Sequence, residues 1–330
     1  MIQQGWPALE ALGRFRFLTS EQLARLLFLG QTNTKGEARG VGAARKATNE
    51  VCLRRLKDLR LVECLPIFRH TAGGTFVRGE VNVLTRKGRD RLQEHLLHLG
   101  LEPAIDWHPR LKELANQTLN HELQVNDALI AAEVACRCAG VRINSWGDDA
   151  LRSMKEKGTV GFGDFSPDAL IVLTLGEVQV PLIVEVDRGT EAVTGKAPNT
   201  WEQKIKRYGR YFKERCRRDP FFAGWPQPLV LTVTTSYERM THLWEATAEA
   251  GGQTGYWFTY REVLDPPAPE LPPLPASGPE RSAVAAQRKA LEEEHARLSL
   301  GAFLDPIFLP ATLREYRSVL DHLTLQKQAA

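Results

Sequence analysis

Two short β-like strings set carboxylates where a chain can least easily bury them, and nothing else in the sequence restricts the fold as strongly. The first is Ser166-Pro167-Asp168-Ala169-Leu170-Ile171-Val172. The second, across a turn at Gly176-Glu177, is Ile183-Val184-Glu185-Val186-Asp187-Arg188-Gly189-Thr190. Side chains alternate along a strand, so Glu185 and Asp187 share one face and Val184 and Val186 the other. Neighbours as apolar as Leu182, Ile183 and Val184 mark a strand inside a domain, where unpaired carboxylates cost several kcal/mol each. A divalent cation would remove that cost. Asp168, heading the neighbouring strand, supplies a third oxygen ligand, the hard-donor chemistry that suits Mg²⁺, with Mn²⁺ as a substitute.

The segments around these strands extend the pattern. A long helix is expected from about Leu114 to Cys138, with Glu122, Asn126 and Glu133 on a polar stripe beside Leu119, Leu123 and Ile130. That stripe either lines a site or is a solvated flank. A further strand is expected at Val141 to Trp146, then a Gly-rich loop through Gly163. After the carboxylate strand, Trp201, Ile205, Tyr208 and Phe212 recur at helical spacing as a packing face, with Lys206, Arg210, Lys213 and Arg217 on the far side. Lys204 belongs to neither stripe. At the margin of the packed face, it either snorkels to water or reaches the carboxylates. Strands at Leu229 to Thr234 and Tyr256 to Tyr260 flank a last helix, which implies a mixed α/β layer.

The first hundred residues read differently. Thr19-Ser20-Glu21-Gln22 is a capping box opening a helix, and Ala44 to Arg60 is a second helix with Cys52, Leu53, Leu56 and Leu59 on one side and Lys46, Glu50, Arg54 and Lys57 on another. Leu61 to Phe68 and Thr75 to Leu84 form a hairpin across Ala72-Gly73-Gly74, and a helix follows from Leu84 to about Leu99. Helix, basic helix, hairpin, helix is the order of a winged helix-turn-helix. Residues 1–100 carry 17 Lys and Arg against 9 Asp and Glu, whereas the remainder is mildly acidic, with 26 against 31. A basic head on an acidic body suits a polyanionic partner.

Other classes are excluded. With 43% hydrophobic and 25% charged residues, the chain is not expected to be disordered. Its apolar runs, such as Ala169 to Leu175, fall short of a membrane span, and residues 1–10 lack the blocks of a signal peptide. A soluble cytoplasmic protein is expected. Five cysteines without framework spacing fit a reducing compartment. Gly189 to Ala197 has five residues between its glycines and no Ser or Thr after Lys196, so it is not a phosphate-binding loop. Tyr208 and Tyr211 read as packing, since no His-apolar-His strand accompanies them. Seven prolines between Asp265 and Pro279 mark a semi-rigid linker. Ser282 to Leu300 and Thr312 to Lys327 look helical, and either dock back or mediate self-association.

Taken together, the head, His121-Glu122-Leu123, Pro167-Asp168-Ala169-Leu170, Glu185-Val186-Asp187-Arg188-Gly189-Thr190 and the Lys204 to Tyr208 helix resemble the replication-relaxation family of bacterial mobile elements, over roughly residues 10–260. The resemblance implies a PD-(D/E)xK nuclease-like domain, whose motif is Asp on one strand, Glu-x-Lys on the next and often Glu on the preceding helix. It implies Asp168 and Glu185 as metal ligands and Glu122 as the helix acid. Asp187, the third candidate ligand from strand alternation, stands at the expected Lys position. Migrated lysines are tolerated in that fold, and Lys204 is the nearest candidate. The expected organisation is α+β/α/β: a winged helix at 1–105, a nuclease-like mixed sheet at 111–264, a linker at 265–279 and a helical extension at 280–330. Lys46, Arg54, Arg55, Lys57, Arg78, Lys206, Arg210 and Lys213 are the expected contacts to double-stranded DNA. Three functions fit: a replication factor of a plasmid or similar element that clamps DNA without cutting, a Mg²⁺-dependent endonuclease or nickase using Asp168, Glu185 and Lys204, and a winged-helix regulator that forms a homodimer through its C-terminal helices.

Overall fold

A computed structural model describes residues 5–29, 31, 41–70, 76–102, 105, 107, 116–162, 166–195, 197, 199–223, 225, 227–252, 255–264, 266, 269–275, 277, 280–301, 303–304 and 309–310. The chain divides into two compact units, one formed by residues 1–130 with 268–297 and the other by 131–267 with 298–330.

In the first unit the order is α1 (Trp6–Phe15), β1 (Phe17–Leu18), α2 (Ser20–Phe28), α3 (Val41–Ala47), a π-helical turn (Thr48–Leu53), α4 (Arg54–Asp58), β2 (Val62–His70), β3 (Phe76–Leu84) and α5 (Arg86–His98). Both hydrogen bonds of the Thr19–Gln22 capping box are present at the start of α2. The helix expected from Ala44 to Arg60 takes an extra residue into one turn, where the Thr48 hydroxyl donates to the Ala44 carbonyl at 3.0 Å. Its buried side is Ala44, Thr48, Cys52, Leu53 and Leu56. β3 pairs antiparallel with both β1 and β2, giving the order β1-β3-β2. The Ala72-Gly73-Gly74 turn lies outside the described residues.

Helix α6 (Asn116–Ala139) begins in this unit, where Leu119 and Leu123 pack with Phe17, Leu65, Ile67, Val81 and Val83. The second unit takes the chain up from Ala131. Its elements are β4 (Arg142–Gly147), α7 (Asp148–Glu156), β5 (Ala169–Leu175), β6 (Val178–Val186), α8 (Trp201–Glu214), β7 (Leu229–Thr234), α9 (Tyr237–Glu249), β8 (Tyr256–Tyr260) and α10 (Arg261–Leu264). Two elements straddle or close the chain: α11 (Glu280–Gly301) and β9 (Leu309–Pro310). The stretch expected as a Gly-rich loop holds α7, whose Leu151 is buried in the core. The helix expected over Thr312 to Lys327 lies outside the described residues.

The six strands run β4-β5-β6-β7-β8-β9, antiparallel through β6, parallel from β6 to β8, and antiparallel again at β9. Parallel neighbours need a crossover, and α8 and α9 provide the two that this sheet requires. Both helices cover the same sheet face: Trp201, Ile205 and Tyr208 of α8 and Met240 and Leu243 of α9 join Leu170, Ile183, Val230 and Phe258 in one core. The fold is thus a mixed α+β chain with two sheets, in which any polar group on that face lies beneath α8 and α9.

Candidate functional site

Glu185 follows Ile183 by two positions and Asp168 precedes Leu170 by two, so both carboxylates point to the face that α8 and α9 cover. The antiparallel register pairs Ala169 with Val184, and one step further sets Asp168 opposite Glu185. The Val186 amide donates to Asp168 Oδ2 at 2.7 Å, which holds that side chain at the end of the ladder.

Glu185 is 1% exposed. Its partners come from α8: Lys204 Nζ lies 2.9 Å from Oε2, and the Tyr208 hydroxyl donates to Oε1. Burial pushes the Glu185 carboxyl up to about 7, and Asp168 pushes the same way, against the Lys204 charge and the Tyr208 and Lys204 hydrogen bonds. Burial alone would lower Lys204, but Glu185, Asp168 and Glu191 together hold it above its ordinary value. The second contact, Glu191 Oε2, is 3.8 Å away. Tyr208 is raised well above a free phenol by its burial and by Glu185.

Asp187 has its own cation. Arg239 of α9 donates to it through Nε and Nη2, both at 2.9 Å, and the Thr234 hydroxyl donates at 2.6 Å. Arg239 Nη2 also reaches the Glu191 carbonyl at 2.7 Å. Burial would raise Asp187, but the hydrogen bonds from Arg239 and Thr234, the Arg239 charge and the Gly189 amide outweigh it and keep the carboxyl below the usual range.

This arrangement bears directly on a metal. Asp187 does not fit as a ligand, because Arg239 engages both of its oxygens and Thr234 shares one. Both Glu185 oxygens are likewise engaged, and among the described residues no three His, Cys, Asp or Glu side chains converge to hold an ion. Of the carboxylates expected to require a divalent cation, Glu185 is compensated by Lys204 and Asp187 by Arg239. Only by exchanging Lys204 or Tyr208 could Glu185 join Asp168 around a metal.

The remaining candidates are dispersed. Glu122 pairs with Arg16 at 3.1 Å in the first unit, and its neighbour Asn126 donates to the Phe17 carbonyl at 3.1 Å. Glu133, in the second unit, accepts from Ser145 at 2.8 Å. The polar stripe of α6 is thus occupied by structural contacts. Lys46, Arg54, Arg55 and Arg78 are exposed and Lys57 is half-buried. On α8, Lys206, Arg210 and Lys213 are exposed, and Lys206 pairs with Glu202 one turn earlier. Sequence reasoning missed Arg239 and Thr234, and it took Tyr208 for packing alone. The four-residue spacing from Lys204 to Tyr208 was the signal available for that hydroxyl.

A mixed sheet with an Asp at the head of one strand, a Glu across from it on the next and a lysine from the crossover helix defines the class as a mixed α+β protein with a buried carboxylate–lysine cluster. The family model described as replication-relaxation matches residues 9–223, and the chain belongs to that family. Membership makes it a DNA-related protein of mobile elements. Among curated proteins no relative matches. Of the solved structures, restriction endonuclease FokI bound to DNA is 12% identical, over 90% of this chain and 72% of that one, with a TM-score of 0.25. A second FokI structure is also 12% identical, over 77% and 67%, at 0.23. At such scores superposition decides nothing, and the fold class rests on strand order. No described helix is long and apolar enough to cross a membrane.

Proposed function

We propose that the protein is a DNA-binding replication factor of a plasmid or similar element, whose first unit reads duplex DNA as a winged helix and whose nuclease-like unit grips the backbone without cutting it. The helix, strand, helix, helix, hairpin order and the exposed Lys46, Arg54, Arg55 and Arg78 support the first half. The observation that carries the second is the pairing of Glu185 with Lys204 and of Asp187 with Arg239, which gives each of these two carboxylates of β6 a cation of the protein's own.

An active endonuclease is the second reading, and one observation favours it: α8 brings Lys204 to Glu185, supplying the lysine that β6 lacks at Asp187. Incubation of the full chain with supercoiled, linear and single-stranded DNA in Mg²⁺ or Mn²⁺ separates the two. A clamp binds duplex and leaves every substrate intact. Metal-dependent cutting, reduced about a hundredfold or more by Lys204→Ala with affinity kept within about threefold, would establish the enzyme.

A further inference from the structure

Between α3 and α4 the π-helical turn is closed by the Arg54 amide, which donates to the Asn49 carbonyl five residues back. Such turns take one extra residue into an α-helix and are frequent at functional sites. The extra residue changes which side chains stand together. Successive residues of an α-helix are about 100° apart, so Arg54 in a regular helix would stand about 80° round from Lys46. The wide turn removes about 100° of rotation and returns Arg54 to within about 20° of Lys46. Asn49 stands about 60° from Lys46, on the same side as Arg54. The opposite side of the helix holds the buried Ala44, Thr48 and Leu56.

Lys46, Asn49 and Arg54 are all exposed. Among the exposed described residues of 42–58, Asn49 alone is uncharged and carries both a side-chain donor and a side-chain acceptor. Its carboxamide makes no hydrogen bond to a described residue. Lysine and arginine hold phosphates, which carry no sequence, and the neighbouring Glu50 can only accept. A carboxamide donates and accepts at once, and in the major groove adenine presents the matching pair at N7 and N6. Guanine presents two acceptors there and cytosine a single donor, so neither satisfies both halves of the amide. The partner of this face is selected by charge: Lys46 and Arg54 flank Asn49, and residues 1–100 carry 17 Lys and Arg against 9 Asp and Glu.

We propose that Asn49 is a sequence-reading residue of the first unit, contacting the N6 and N7 edge of one adenine in the major groove while Lys46 and Arg54 hold neighbouring phosphates. The assignment rests on the reading of this unit as a winged helix on duplex DNA. It adds the base class that such a reading leaves open.

Selection from random duplexes by the full chain tests it. The wild type should enrich a site with an adenine at a fixed position, and Asn49→Ala should lose the preference at that position alone. On the wild-type site Asn49→Ala should bind about tenfold more weakly, the order of one bidentate base contact, with the salt slope unchanged because no charge is removed. A second measurement needs no substitution in the protein. Replacing each selected adenine in turn by 7-deazaadenine, which lacks the N7 acceptor, should at one position weaken wild-type binding about fivefold. An Asn49→Ala variant that selects the wild-type site with wild-type affinity would overturn the assignment, as would indifference of the wild type to 7-deazaadenine at every position. Duplex binding without any sequence preference would overturn this inference and leave the clamp reading standing, whereas a wild type that fails to bind duplex at all defeats that reading as well.

Discussion

At the scale of single residues, Glu185 and Asp187 sit two positions apart and should respond to pH in opposite senses. Glu185 titrates near 4.5 in an unstructured chain and near 7 in the fold. Between those values the folded state keeps a proton that the unfolded state has lost, so stability declines as pH rises through that window. Asp187 is held below 3.8, so its contribution is present above that value and disappears as pH falls through the lower folded one. The melting temperature of the wild type should therefore fall between about pH 4.5 and 7, and Glu185→Gln should flatten the fall. Lys204, Asp168 and Tyr208 all face this carboxyl, and a slope that Glu185→Gln leaves intact would assign the titration elsewhere. Removing the cation tests the same pair from the other side. Lys204→Ala should cost about 2–3 kcal/mol at alkaline pH, less than a fully buried pair because Lys204 is about a fifth exposed. Urea unfolding should show most of that loss recovered in the Glu185→Gln/Lys204→Ala double variant. An additive double variant would mean that the two side chains do not interact energetically.

At the scale of elements, the start of α5 is the most tightly specified junction. Thr85 accepts from the Gly88 amide at 3.0 Å and donates to the Arg60 carbonyl at 2.7 Å, which seats the helix against the chain leading into β2. A Cβ on Gly88 would lie 1.9 Å from the Leu61 carbonyl oxygen. Backbone yields less than a side chain does, so Gly88→Ala should cost about 3 kcal/mol or more, at the upper end for overpacking. Thermal melting checks this, and a loss below about 1 kcal/mol would show that α5 shifts freely. Such junctions also explain what was legible beforehand. The Thr19–Gln22 box, the packing face of α8 and the alternation of β6 are local patterns, and the elements they foretell are present. The short α7 and the two-residue β1 carry too few residues to declare a period. The site divides in the same way: Asp168, Glu185 and Lys204 follow from alternation and helix margins. Arg239 and Thr234 lie 52 and 47 residues from Asp187, and Arg16 lies 106 from Glu122, distances that no periodicity connects. A carboxylate's type is visible in a sequence, but a cation that answers it from a distant element, as Arg239 answers Asp187, is not.

At the scale of the whole molecule, charge is divided between a basic head and an acidic body, so most of the salt dependence of DNA binding should come from the head. Lys46→Ala and Arg54→Ala should each lower the salt slope by about one unit, and an unchanged slope in both would remove that helix from the interface. The response to Mg²⁺ distinguishes the uses of the body. An ion that binds only the folded state stabilises it by about 2.7 kcal/mol at a hundred times its dissociation constant. With Lys204 seated on Glu185, an added ion must displace an ammonium that is already in place, and little is gained. In Lys204→Ala the same ion would meet Asp168 and Glu185 without their cation. Mg²⁺ should therefore raise the melting temperature of Lys204→Ala, leave the wild type where an equal ionic strength of NaCl leaves it, and lose its effect on the variant when Asp168→Asn is added. A wild-type rise abolished by Asp168→Asn would show that the ion does displace Lys204, and the balance would then move from the clamp to the endonuclease. No rise in any variant would make the three carboxylates purely structural.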